Sequence, residues 1–230
     1  MKILIVSATK KEVDPTINFF QISTQNKENF WTVDFLDHEI NFLISGIGCY
    51  STIYELSKIL TKQKYDLVVN VGIAGSYEKS IGIGQVVNVY SEQIGDLGIN
   101  DRGTFKTAFE EKFISADKEP FTNTELINSN TDLFKFLSKA KKVKSLSLNT
   151  VSGHKPKIEE LKSKFNVDIE NMEGAAVFYV CLKENQPFLE IRSISNFVEP
   201  RSKEKWEIMK AISNLNDTLR MLILELLKAM

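Results

Sequence analysis

Residues 168–196 read DIENMEGAAVFYVCLKENQPFLEIRSISN, and this stretch decides the fold. An acidic turn that contains Glu170 and Glu173 precedes a helix of small residues from Gly174, and an apolar strand then ends on Asn196. Ligands of open α/β sheets bind outside the carboxyl ends of the strands, so the arrangement predicts a pocket. The acids also have a structural explanation, because the helix macrodipole favours carboxylates at a helix N-terminus.

The rest of the chain alternates strands with helices. Residues 2–8 and 65–71 are short apolar runs, typical of strands in the centre of a parallel sheet. Residues 206–227 have the apolar spacing of a long amphipathic helix. We therefore predict a single α/β domain over residues 1–230, with a central mixed β-sheet flanked by helices.

Two further segments have a weaker pattern. Residues 30–35 and 39–44 predict a hairpin with His38 in its turn. Residues 91–130 are polar and rich in loop residues, with a weak strand pattern at 109–114, and they are the segment that we expect to be flexible or to contact a partner.

Composition excludes several classes of protein. Acidic side chains number 30 against 29 basic ones, so no net field attracts nucleic acid or an anionic membrane. Cys49 and Cys181 lie in apolar helical segments, which is typical of thiols in a reducing cytosol. With no signal peptide and no apolar run of about 18 residues, we expect a cytoplasmic protein. His154 has no second ligand at a suitable spacing, so we expect no metal and no cofactor.

Glycines follow two of the predicted strands. Gly46 and Gly48 stand in SGIG, and Gly72 and Gly75 stand in NVGIAGS. Glycines in a turn after a strand let backbone N–H groups approach a ligand. The pattern lacks the third glycine and the later acid of a dinucleotide-binding fingerprint. We interpret both as turns at a binding site.

Glu12 lies near the start of the helix that follows the first strand. Its carboxylate is either a surface acid or reaches over the end of the strand into a pocket.

Several motifs, in chain order, resemble those of the purine nucleoside phosphorylase and nucleosidase superfamily: MKILIVSATKKEV, SGIG, NVGIAGS, GQVVNV, VSGHKPK, NMEGAAV and PFLEIRSISN. The resemblance covers nearly the whole chain and is nearest to the hydrolytic branch, which includes methylthioadenosine/S-adenosylhomocysteine nucleosidases. It implies a nucleoside substrate with water as the acceptor, and a homodimer or larger homo-oligomer.

The resemblance also implies roles for single residues. Glu12 would activate the attacking water, with Arg192 helping to position it, although a strand arginine could equally be paired with a nearby acid. Met172 would pack on the sugar–base side of the substrate, and Glu173 would accept hydrogen bonds from the ribose hydroxyls.

The purine would be held by other parts of the chain. Gly75 in the second glycine motif would lie against the substrate, and the backbone near Ser152 and Pro156 would embrace the purine edge. Asn196 would face the purine N7, unless it only caps the end of its strand.

Departures from the adenine nucleosidases narrow the resemblance. Asn196 replaces their usual Asp, Ile73 replaces a small hydroxyl residue, and SGHKPK lacks their aromatic residue. ISNFVEPRSKEKW is similar to the futalosine hydrolase subgroup, which cleaves futalosine into hypoxanthine and dehypoxanthine futalosine in menaquinone biosynthesis. That substrate carries a carboxyphenyl ketone at the ribose 5′ end. This carboxylate would be bound by Arg201 or by one of the lysines beside it, Lys203 and Lys205. The alternative is that these residues are only solvated charges on a loop.

Three other functions compete with this one. An adenine nucleosidase acting on methylthioadenosine or aminofutalosine is the alternative within the class. A phosphorylase would need arginines to hold phosphate, and none of the four arginines lies in or beside the glycine motifs: Arg102, Arg192, Arg201 and Arg220. A nucleoside-binding protein without activity would bind its ligand without releasing the base.

Overall fold

The computed structural model describes residues 1–20, 24–27, 29–200, 204 and 206–229. Within them, one mixed β-sheet is flanked by six α-helices, which confirms the predicted single-domain α/β fold. The strands are β1 (Lys2–Ser7), β2 (Thr24–Lys27), β3 (Phe30–Phe35), β4 (His38–Ile44), β5 (Leu67–Ser76), β6 (Val86–Ile94), β7 (Gly98–Asp101), β8 (Thr104–Thr107), β9 (Leu126–Ile127), β10 (Lys141–Ser147), β11 (Ile169–Asn171) and β12 (Phe188–Phe197). The helices are α1 (Lys10–Phe19), α2 (Cys49–Leu60), α3 (Thr131–Phe134), α4 (Lys155–Lys164), α5 (Gly174–Lys183) and α6 (Ile208–Ala229), and a 3₁₀ helix spans Lys135–Leu137.

The main sheet closes on itself at one end. Its strands follow the order β11-β10-β6-β12-β5-β1-β4-β3-β2, and β9 pairs with β6. Because β11 also pairs with the far end of β5, with Glu170 opposite Gly75, the strands β5, β12, β6, β10 and β11 form a ring. The strands β1 to β4 extend from this ring as an open sheet. β1 pairs with β5 only from Leu67 to Asn70, so the rest of β5 diverges from β1 and leaves a gap.

Each face of the sheet is covered by a separate apolar core. Ile3 and Ile5 of β1 pack with α1 and α6 on one face, whereas Leu4 and Val6 pack with α2 and α5 on the other. This alternation follows from the two-residue period of a strand. The buried side of α6 has helical spacing, as the sequence predicts: Ala211, Ile212, Leu215, Leu219, Leu222, Ile223 and Leu226. Among the described helices, none is long and apolar enough to span a membrane.

Three local predictions are wrong. Residues 72–76 continue β5 instead of forming a turn, because they pair with β12 and β11. Residues 109–114 form turns and no strand. His38 begins β4, and the turn of the hairpin consists of Leu36 and Asp37 at positive φ.

Candidate active site

Glu12 is held over the gap between β1 and β5. It lies in the first turn of α1, where Oε2 accepts hydrogen bonds from the backbone N–H of Thr9 (2.9 Å) and the hydroxyl of Ser7 (3.1 Å). Oε1 accepts one from the backbone N–H of Ile73 (3.2 Å). The β1 ladder ends at Asn70, so the N–H of Ile73 is left to this carboxylate. Glu12 is only 7% exposed, which excludes the interpretation as a surface acid.

Glu173 and Arg192 lie next to Glu12. Oε1 of Glu173 accepts a hydrogen bond from the backbone N–H of Gly48 (2.9 Å), and Oε2 lies 3.9 Å from Nη1 of Arg192. A Cβ at Gly72 would lie 2.1 Å from that same Nη1 and 3.1 Å from Oε1 of Glu12. Gly72 therefore makes room for a guanidinium between the two carboxylates.

Charge in this group is balanced by contacts on both sides of Arg192. Its Nε donates to Oε1 of Glu190 at 2.8 Å, and the side chain is 1% exposed. Burial lowers the pKa of Arg192, but Glu190 and Glu173 raise it by more, so the guanidinium stays charged. Burial raises the pKa of Glu173, and Arg192 opposes that increase. Arg192 is thus paired with an acid of its own strand, Glu190, and it also reaches Glu173, whereas its help in positioning water stays a prediction.

Asn196 lies at the end of β12 with its amide oriented by its neighbours. Its Oδ1 accepts a hydrogen bond from the hydroxyl of Ser195 (2.8 Å), and its Nδ2 donates to the backbone O of Phe197 (3.0 Å). One amide N–H is left for a ligand. Nδ2 would lie 3.2 Å from a Cβ at Gly75, so the glycine keeps the backbone of β5 close to this amide.

Glu12, Glu173 and Asn196 share a pocket of about 270 Å³ at the carboxyl ends of β1, β5 and β12. Its polar side chains include one cation, Lys11, and these further residues: Thr9, Glu12, Thr150, Glu170, Asn171, Glu173, Ser195 and Asn196. Its apolar wall contains Ile47, Ile73, Leu148, Val151, Met172, Trp206, Ile208 and Ile212. An apolar cleft with a few convergent polar groups is the usual form of a small-molecule site.

The family model of the Phosphorylase superfamily matches residues 2–228. The chain belongs to this superfamily. It is 28% identical over 203 residues to the 5′-methylthioadenosine/S-adenosylhomocysteine nucleosidase of Buchnera aphidicola, with 85% of each chain covered. It is 27% identical over 185 residues to the futalosine hydrolase of Thermus thermophilus, with 80% of this chain and 81% of that protein covered.

Solved structures of the superfamily have the same fold. The futalosine hydrolase of Helicobacter pylori superposes with a TM-score of 0.83 at 21% identity, with 98% of each chain covered. The nucleosidase of Streptococcus pneumoniae gives a TM-score of 0.81 at 20% identity, with 97% of this chain and 98% of that chain covered. These relatives are nucleosidases, which confirms the predicted enzyme class, a hydrolase acting on N-glycosyl bonds.

The structure brings most of the predicted site residues together. Glu12, Gly75, Met172, Glu173 and Asn196 line the pocket of this superfamily member. The buried Arg192 does not line the pocket, but it contacts Glu173 from behind.

The other predicted residues lie elsewhere. The backbone N–H of Ser152 donates to Oε1 of Glu170 (3.1 Å), one residue beyond the pocket wall at Val151. Pro156 is exposed on the first turn of α4 and does not line the pocket. Arg201 lies outside the described residues, as do the lysines at 203 and 205.

Glu170 is the main pocket residue that the sequence did not assign. The acidic turn contained it, but only Glu173 matched a motif of the superfamily. In the structure the residue lies in β11, where side chains alternate: Ile169 packs in the core of the α2 and α5 face, and Glu170 lines the pocket. Had 169–171 been recognised as a strand, this alternation would have separated the two side chains.

Beneath the pocket, the ring of strands encloses polar side chains. Oε1 of Glu92 accepts from Nδ2 of Asn171 (2.6 Å), and Oε2 accepts from the hydroxyl of Ser147 (2.9 Å). A Cβ at Gly174 would lie 2.0 Å from Oε1 of Glu92 and 2.8 Å from Oε1 of Glu190, so the two carboxyl groups meet at that glycine. Burial, and then the charge of Glu190, raise the pKa of Glu92 well above 4.5. Burial and Glu190 therefore favour the protonated form of Glu92 in the folded protein.

Proposed function

We propose that the protein is a purine nucleoside hydrolase whose substrate is futalosine, cleaved to hypoxanthine and dehypoxanthine futalosine in menaquinone biosynthesis. The observation that carries the proposal is the neutral amide of Asn196 in the pocket, at the end of β12. Hypoxanthine presents two acceptors side by side, O6 and N7, whereas adenine presents an amino donor beside N7. An amide N–H needs no proton to face such acceptors, whereas an ionised Asp offers acceptors only.

The geometry supports a hydrolytic mechanism. Glu12 would take a proton from water as the water oxygen bonds to the anomeric carbon. The C1′–N9 bond breaks as the sugar becomes oxocarbenium-like, and its electron pair leaves with the purine, where the N–H of Asn196 stabilises the developing charge. Glu173 would bind the ribose hydroxyls. The bonds from Thr9 and Ile73 fix the Glu12 carboxylate in place, so little reorganisation precedes proton transfer.

Water is a better acceptor here than phosphate. Among the described arginines, Arg102 lies in the turn between β7 and β8, Arg220 pairs with Asp217 on α6, and Arg192 is buried. None of the three arginines lines the pocket, where Lys11 is the single cation among the described lining residues, and phosphate is typically held by the fork of an arginine.

A second copy of the chain is the partner that we propose. Tyr50 and Tyr54 are 82% and 64% exposed on α2, and Ile53 lies between them. Ile47, at the start of this apolar surface, is 63% exposed and also lines the pocket. A copy docked here would cover the apolar side chains and one edge of the pocket, as expected for a homodimer.

The test is base release in buffer without phosphate. Futalosine, inosine, adenosine and 5′-methylthioadenosine are incubated with the protein, and the free base is identified by chromatography. We expect hypoxanthine from futalosine, with inosine cleaved faster than adenosine, and Asn196→Asp should narrow that preference. Adenine released from 5′-methylthioadenosine as readily as hypoxanthine from futalosine would favour the adenine nucleosidase. Release that requires phosphate would favour the phosphorylase.

A further inference from the structure

Glu170 faces the same part of the pocket as Asn196. It lies in β11 directly opposite Gly75 of β5. A Cβ built on Gly75 would lie 3.2 Å from Nδ2 of Asn196 and 3.5 Å from Cγ of Glu170. The amide of Asn196 and the side chain of Glu170 therefore flank one point of the pocket wall, and both side chains line the pocket.

The Glu170 carboxylate keeps free acceptor capacity. Oε1 accepts from the backbone N–H of Ser152 (3.1 Å), and Oε2 accepts from the hydroxyl of Tyr77 (2.6 Å). A carboxylate has about four acceptor positions, so these two bonds leave positions for a ligand. Burial and the charge of Glu170 raise the pKa of Tyr77, so its phenol remains a donor. In the described part of the chain, no lysine, arginine or histidine forms a salt bridge with Glu170.

Purines differ in what they present next to position 6. Hypoxanthine carries a proton on N1 and an oxygen at C6, so its edge reads donor and then acceptor. Adenine has a bare N1 and an amino group at C6, so its edge reads acceptor and then donor. A buried carboxylate at N1 would accept the hypoxanthine N1–H and would face the lone pair of adenine. A buried polar group left without its partner weakens binding by about 10-fold or more.

We propose that Glu170 determines the choice of base by accepting the N1–H of a 6-oxopurine while Asn196 donates to O6 or N7. The inference rests on the proposed function, because it requires a purine in this pocket. It extends that function to 6-oxopurines as a class, and it assigns half of the recognition to a residue on a different strand from Asn196. Glu170 also fixes the 150–152 segment through Ser152, so a purely structural role is the competing explanation.

Equilibrium binding of free bases separates the two explanations. Hypoxanthine, 1-methylhypoxanthine and adenine are titrated into the wild type, Glu170→Gln and the control Glu159→Gln by calorimetry. Glu159 is an acid on α4 whose side chain is 66% exposed. We expect the wild type and the control to prefer hypoxanthine to both other bases by about 10-fold or more. In Glu170→Gln the preference over adenine should fall by about 10-fold or more, because a glutamine amide can donate to the adenine N1.

Three results would overturn the inference. One is a Glu170→Gln variant that loses affinity for all three bases by the same factor, as a purely structural role requires. The second is a wild type that binds 1-methylhypoxanthine as tightly as hypoxanthine, which can be measured even if the variant does not fold. The third is a wild type that binds none of the bases. If hypoxanthine is selected through Glu170 but futalosine is not hydrolysed, the inference holds and the proposed function fails.

Discussion

Glu92→Gln tests the polar interior beneath the pocket. The substitution replaces a buried carboxyl group with an amide of nearly the same shape. The oxygen of the glutamine can accept from Nδ2 of Asn171, as Oε1 of Glu92 does at 2.6 Å. Its amide can donate to the hydroxyl of Ser147, which now lies 2.9 Å from Oε2. The change therefore removes a titrating group while it keeps the packing and both hydrogen-bond partners, with the direction of the bond to Ser147 reversed.

The size of the effect follows from the proton that Glu92 holds. Burial and then Glu190 raise its folded-state pKa well above the ordinary value of 4.5. Between pH 4.5 and the folded-state pKa, the unfolded chain has released the proton and the folded protein retains it, so folding takes up a proton. The stability that Glu92 contributes is complete below pH 4.5 and decreases as pH rises towards the folded pKa. Within this window the loss is about 1.4 kcal/mol for each pH unit.

Urea unfolding followed by circular dichroism measures this slope. The wild type, Glu92→Gln and the exposed control Glu159→Gln are unfolded at three values of pH, one unit apart and all above 4.5. We expect Glu92→Gln to gain about 1.4 kcal/mol over the wild type for each unit of rising pH. The control should show no such gain. A difference between Glu92→Gln and the wild type that stays constant with pH would refute the reasoning, because Glu92 would then carry the same charge in both states.

The remaining predictions concern the pocket and its surroundings. Glu12→Gln should lower kcat by roughly 10²-fold or more and retain nucleoside binding, whereas Asp14→Asn on the same helix should not lower kcat. Near-normal turnover by Glu12→Gln would exclude Glu12 as the base. Arg192→Met should lower the free energy of unfolding in urea by about 3–5 kcal/mol, because it leaves buried carboxylates without their cation; an unchanged midpoint would contradict this. Arg201→Ala should raise KM for futalosine far more than for inosine, and equal losses would count against a contact with the tail. Tyr54→Glu should convert a dimer to a monomer in light scattering, and a wild type already monomeric at micromolar concentration would refute the dimer.

The sequence was most informative for elements whose local pattern of residues agrees with the pairing and packing in the structure. The apolar run of β1, the amphipathic spacing of α6 and the small residues at the start of α5 each predict one element, and each element is present. The closure of the ring was not predictable, because the pairing of Glu170 with Gly75 joins strands distant in the chain. Without that pairing, residues 72–76 resemble a glycine turn and residues 168–173 resemble an acidic turn. Glu170 was not assigned to the pocket for the same reason, because side chains alternate between two faces in a strand but not in a turn.

Gly72 has a physical cause that the sequence did not predict. The sequence predicted close approach of the backbone to a ligand at Gly72, and the structure shows close approach to Nη1 of Arg192. Gly174 has a similar role beside Glu92 and Glu190. Both glycines therefore make room for ionisable groups that the protein itself buries. The positive charge of Arg192 compensates Glu190 in the interior and Glu173 in the pocket. The guanidinium that stabilises the interior therefore also fixes a carboxylate of the pocket. Any change to Arg192 must affect stability and the pocket together, whereas Glu92→Gln changes the interior and leaves the Arg192–Glu173 contact intact.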